Sequence, residues 1–157
     1  MKNGILSRTT SKALFRVRSG LETAIRMCRK ISLQLQGVSI GTETLPGRLT
    51  VNWPHQLSIG SGCILEDDLI FKFDGIYASG PSILIGNNVF LGNHCEFNIC
   101  QGITLSDHCL IASGCKFIDH DHSMDPGRPI GATQGPEAKI FLGPNVWLGV
   151  NVVVLKG

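Results

Sequence analysis

The sequence predicts an all-β solenoid of short parallel strands, and three observations predict it. Across residues 85–118 a large apolar residue returns every sixth position, at Ile85, Leu91 and Phe97 and, after two residues of slack, at Leu105, Ile111 and Phe117. The same beat runs through Ile59, Leu65 and Phe71 upstream and Leu142, Leu148 and Val154 downstream, giving four triads. Four residues after several of these anchors stands a small or β-branched residue, as at Val89, Cys95, Cys109 and Cys115. Six residues make one short strand plus a turn; three such units close a coil of roughly eighteen residues, and coils stack through parallel hydrogen bonds. Neither an α-helix nor a hairpin repeats at that interval. The Gly and Asn residues between anchors suit corners with positive φ, which other side chains adopt at a cost.

Length and composition bound the rest. A chain of 157 residues predicts one domain with a sizeable core. No apolar run reaches the eighteen residues of a membrane span, and no apolar stretch near the N-terminus reads as a secretory signal. Four of the six cysteines, Cys63, Cys95, Cys109 and Cys115, fall at the small inward position, where Cys acts as a small hydrophobe. No cysteine spacing matches a zinc knuckle. Cys28 and Cys100 fall outside the repeat and carry no metal or disulfide signal of their own. Reduced thiols imply a cytoplasmic setting. Charge is split: residues 1–36 hold eight basic residues against Glu22, a net +7, whereas the remainder holds six basic and eleven acidic residues, a net −5.

In chain order, the first element is a helix from Ser11 to about Leu35. Leu14, Val17, Leu21, Ile25, Cys28, Ile31 and Leu35 recur three or four apart, so one face is apolar and the rest basic. Such a helix docks on the β-domain or a neighbouring subunit, or lies on an anionic membrane; nucleic-acid binding and a transit peptide are weaker alternatives. Residues 37–54, broken by Pro46, Gly47 and Pro54, read as an imperfect first coil suited to a cap. The segment between Phe71 and Ile83 exceeds the six-residue beat and is rich in turn formers, so it leaves the coil as a loop.

The larger excursion runs at about 119–138, opening with Asp119, His120, Asp121, His122, Ser123, Met124 and Asp125. Long loops in compact repeats are functional or disordered. A neutral imidazole takes a proton from a hydroxyl, and an adjacent carboxylate fixes its tautomer; His120 and His122 with Asp119, Asp121 and Asp125 supply these parts. The competing reading is a solvated polar turn. Metal ligation by His94, His108, His120 and His122 is disfavoured, because His94 and His108 belong to different units and do not stack.

These repeats, the FIDHDHSMDPG loop and the NVWLG unit at 145–149 resemble the hexapeptide-repeat acyltransferases, a left-handed parallel β-helix family, closest to its sugar and polysaccharide O-acetyltransferases. The resemblance covers approximately residues 38–157, and the handedness comes from it alone. It implies a homotrimer with acetyl-CoA as acyl donor, no metal, and a loop histidine as general base. By the match of His122 to Asp125 with the family's loop, that base is His122, with His120 the runner-up and Asp119 beside them. The resemblance further implies Trp147, Gly149 and Val150 at the acetyl-CoA groove, with backbone amides near Gly143 or Gly149 for an oxyanion, and Asn98 and Asp125 toward the acceptor. The implied acceptor is a hydroxyl of a sugar or surface-polysaccharide precursor; serine or a xenobiotic is the alternative. Peripheral contact with anionic membrane through residues 1–36 would put the protein at the inner face of the membrane, and nucleic acid is not an expected partner. The family pattern continues beyond the match to Leu155, Lys156 and Gly157, so a fragment or non-catalytic β-helix module stands beside the enzyme reading, since fold alone does not establish activity.

Overall fold

The structure is a computed structural model and describes residues 8–157; Lys2, counted in the basic segment, lies outside the described residues. It opens with helix α1 (Arg8–Leu35). The first coil follows with β1 (Ser39–Ile40) and β2 (Leu49–Val51), and the second with β3 (Leu57–Ile59), β4 (Ile64–Leu65) and β5 (Leu69–Phe73). The third holds β6 (Ile83–Ile85), β7 (Phe90–Leu91) and β8 (Glu96–Ile99), and the fourth β9 (Ile103–Leu105), β10 (Leu110–Ile111) and β11 (Lys116–Ile118). A hairpin, β12 (His120–His122) and β13 (Gln134–Glu137), interrupts the repeat before the fifth coil, β14 (Ile140–Leu142), β15 (Trp147–Leu148) and β16 (Val153–Leu155).

Successive coils pair in parallel and form three faces, in the order β1-β3-β6-β9-β14, β4-β7-β10-β15 and β2-β5-β8-β11-β16. The register is that of the triads. Ile59, Ile85, Leu105 and Leu142 are mutual neighbours on the first face. Leu65, Leu91, Ile111 and Leu148 align on the second, and Phe71, Phe97, Phe117 and Val154 on the third. All three columns enter one apolar core, an arrangement consistent with a β-helix or solenoid-like fold. Phe71, Phe97 and Phe117 stack face to face at 4.7 and 4.6 Å between centroids.

Corners explain the polar residues of the repeat. Three residues past each first-face anchor, Gly62, Asn88, His108 and Asn145 have φ between 53° and 67°; three past each second-face anchor, Asp68, His94, Gly114 and Asn151 have φ between 57° and 77°. His94 and His108 are therefore turn residues on different edges. Gly86 is required for another reason, since a Cβ there would sit 2.8 Å from the backbone nitrogen of Asp107.

The repeat cysteines are buried and free, and each thiol donates to a backbone carbonyl: Cys63 to Gly86, Cys95 to Ala112, Cys109 to Gly143 and Cys115 to Gly149. Burial pushes the Cys95 thiol up to about 11. Leu69, buried at the same inward position, shows that this position also accepts a larger aliphatic.

The helix departs from the simplest expectation. It covers the open edge of the first two coils with polar side chains: Arg26 donates to the carbonyls of Leu45 and Leu65, Lys30 to Gly41 and Gln34 to Ile40. Leu33 alone of its large apolar residues packs against the core. The cations win this face because an uncovered strand edge presents unpaired carbonyls. Among the described residues no helix is long and apolar enough to cross a membrane.

Candidate active site

Among the described residues, the segments that lengthen the repeat leave at the same corner, between the third face and the first. Residues 52–56, 74–82, 100–102 and 119–139 occupy this corner in successive coils, so loops distant in sequence stack along one edge. The upstream loop starts later than its turn formers suggest, because Phe73 is buried and the Asn52 side chain pairs with both its amide and its carbonyl.

At the base of the long loop, Asp119 is fully buried. Its Oδ1 accepts the amide of Cys100 at 2.7 Å; its Oδ2 accepts those of Gln101 and Gly102 at 2.7 and 2.8 Å. The two residues of slack in the repeat are this turn, whose amides point at a carboxylate one coil above instead of a strand. Nδ1 of His120 lies 3.1 Å from the same Oδ1. With Nδ1 donating to this oxygen, a neutral imidazole presents Nε2 as its acceptor.

His122 is exposed, and its ring stands edge-on to His120 with centroids 6.4 Å apart. The hairpin aligns His120 with Glu137 and His122 with Gln134. Asp121 pairs with Lys156 of the fifth coil, and Asp125 with Arg128 within the loop. Asn98, half-buried on β8, is in register with Ile118 beside the loop base; its Oδ1 is buried with no hydrogen-bond partner among the described residues.

Cys100, Asp119 and His120 bring ligand atoms within 4.8 Å of one another, but this trio is poorly suited to a metal. Three amides and His120 already occupy the carboxylate, and burial with the charges of Asp119, Glu137 and Asp74 pushes the Cys100 thiol up to about 11, against the thiolate a metal needs.

Two coils below the loop Tyr77, and three coils below it Trp53 and His55, extend the same edge. The His55 ring lies 5.6 Å from Trp53 and 5.7 Å from Tyr77, and its Nε2 is buried without a partner among the described residues. With Gln56, Phe73 and Gly75 they line a small recess. A Cβ at Gly75 would overlap the Cys100 carbonyl, so this recess abuts the turn that Asp119 holds. The repeat-based reading missed the aromatic group; its signal is the concentration of Trp, His and Tyr in two segments that break the beat at one corner.

Trp147, Gly149 and Val150 lie elsewhere. Trp147 is 76% exposed on the second face, in register with Leu110, Phe90 and Ile64; Leu110 and Ile64 are also exposed, making an outward apolar column. The histidine loop leaves between the other two faces. One chain thus unites Asp119, His120, His122 and Asn98, and separates them from Trp147.

No family model and no solved structure matches the chain. Over 106 residues, 65% of the chain, the sequence is 35% identical to a protein of Mycobacterium tuberculosis named probable acetyltransferase. The match spans 33% of that protein, so the chain covers about a third of the relative it resembles.

Proposed function

We propose that the protein is an acetyl-CoA-dependent O-acetyltransferase acting on a saccharide hydroxyl, on a left-handed β-helix assembled as a homotrimer. The observation that carries this reading is His120 seated on buried Asp119, with His122 edge-on to it, at an edge where aromatic side chains gather. The similarity to a protein named probable acetyltransferase supports the acetyl group. Exposed Trp53 and Tyr77 offer flat apolar faces with polar tips, suited to a sugar ring, and the orphaned Asn98 oxygen suits an acceptor hydroxyl. The free thiols suit a reducing cytoplasm.

His122 is the base in this mechanism, because it reaches solvent where an acceptor enters. Its ring nitrogen takes the hydroxyl proton, and the alkoxide attacks the thioester carbonyl of acetyl-CoA. The tetrahedral intermediate expels the CoA thiolate, which receives the proton from the imidazolium, leaving an acetyl ester and free CoA. Asp119 and His120 order the floor beneath it. One observation favours a second reading: the Asp119–His120 contact leaves Nε2 of His120 as an acceptor, which makes His120 the base. His122→Ala lowers turnover about 10²- to 10⁴-fold without changing the melting temperature, whereas undiminished turnover in His122→Ala with loss in His120→Ala transfers the role.

Since Trp147 and the histidines lie on different sides of one chain, an acetyl-CoA groove between them needs a second copy. The apolar column of Ile64, Phe90, Leu110 and Trp147 is the surface for it. Light scattering should give three chains per particle, reduced to one by Leu110→Lys; a monomeric wild type contradicts the shared groove.

A further inference from the structure

We infer that α1 is a membrane-surface anchor: it lays its outward apolar stripe on an anionic lipid bilayer and stands the solenoid on that surface by its first coil. Arg26, Arg29, Lys30 and Leu33 form the partly covered face of the helix, toward the solenoid. At 3.6 residues per turn, Leu14, Val17, Leu21, Ile25, Ile31 and Leu35 fall on roughly the opposite side. They are 43 to 85% exposed, so the stripe is unpartnered along the helix and faces away from the coils.

Charge decides what covers it. Residues 1–21 contain Lys2, Arg8, Lys12, Arg16 and Arg18 and no acidic residue; Lys12, Arg16 and Arg18 are exposed. A second copy of this helix packed in parallel would set two acid-free cationic N-terminal halves side by side. An anionic surface instead takes the apolar stripe at the acyl boundary and attracts the cationic N-terminal half of the helix through its surface potential, with Arg18 nearest the stripe. The helix is amphipathic and is not apolar enough to span, as a helix lying in the interface requires. The docking cations are separate from these, so the helix holds the solenoid and the bilayer at once. With coils about 4.8 Å apart and a helix about 10 Å thick, the histidine loop stands roughly 25 Å above the surface.

The test is co-sedimentation of the whole chain with vesicles of phosphatidylcholine alone and of an equal mixture with phosphatidylglycerol. The chain should pellet with the anionic vesicles and remain in solution with the neutral ones. The double substitution Leu21→Glu and Ile25→Glu should lower the partition coefficient roughly tenfold or more; the stripe is exposed, so circular dichroism should be unchanged. Substituting Lys12, Arg16 and Arg18 by Gln should weaken anionic binding with the stripe intact. Absence of vesicle binding at low salt, or binding indifferent to both sets of substitutions, overturns the inference. So does a stable oligomer that the Glu pair dissociates, which assigns the stripe to a second copy. None of these readings depends on acetyl transfer.

Discussion

Asp119 links the repeat to the candidate chemistry through hydrogen bonds that close in space and not in sequence. Its three amide donors lie 17 to 19 residues away, so no local pattern announces them. The sequence marks the position only as a carboxylate beside two histidines, with two residues of slack one coil below. Asp119→Asn keeps the shape and introduces an NH2 that faces amide donors. Leaving one or two buried amides unpaired costs about 1–3 kcal/mol each, so urea unfolding should show a loss of at least about 1 kcal/mol. Unchanged stability would mean that the turn at 100–102 finds other acceptors. Asn98 and His55, each with a buried atom lacking a partner among the described residues, are polar costs that a solenoid built only for stability would avoid.

At the scale of elements, the coils were legible because one interval governs three separate columns, and the phenylalanine stack is a direct product of that interval. The outward side of the third face adds an ionic ladder: Glu96 accepts from Lys72 and Lys116, each at 3.1 Å. Hydrogen bonds to Lys116 and Lys72 hold the Glu96 carboxyl below its ordinary value of 4.5. Its contribution to stability is therefore complete above that ordinary value and is lost as pH falls through the depressed one. Acid titration of the melting temperature should fall less steeply below pH 4.5 in Glu96→Gln than in wild type; parallel curves would mean that solvent screens the ladder. The hairpin β12–β13 was less legible, since residues 119–139 hold neither the six-residue beat nor a clean alternation. The helix was half legible. Its amphipathic period showed where the apolar stripe lies but not which side docks, because the deciding partners are backbone carbonyls of a coil edge, which have no sequence signature.

For the whole molecule, the solenoid collects the segments that lengthen its repeat on one edge and leaves an apolar column on the face away from it. The histidines, Asp119 and Asn98 share that edge with Trp53, His55 and Tyr77, while Trp147 stands with the apolar column. In the proposed assembly they would meet in one groove between copies, an arrangement that a repeat read along a single chain cannot reveal. Acetyl-CoA recognition by that groove is the claim on which the functional account rests. The most direct measurement is the melting temperature of the purified chain across a series of acetyl-CoA concentrations. A ligand that binds only the folded state adds about 2.7 kcal/mol at a hundredfold excess over its dissociation constant. The account predicts a rise that grows with acetyl-CoA and disappears in Trp147→Ala; a melting temperature unmoved at millimolar acetyl-CoA would contradict it.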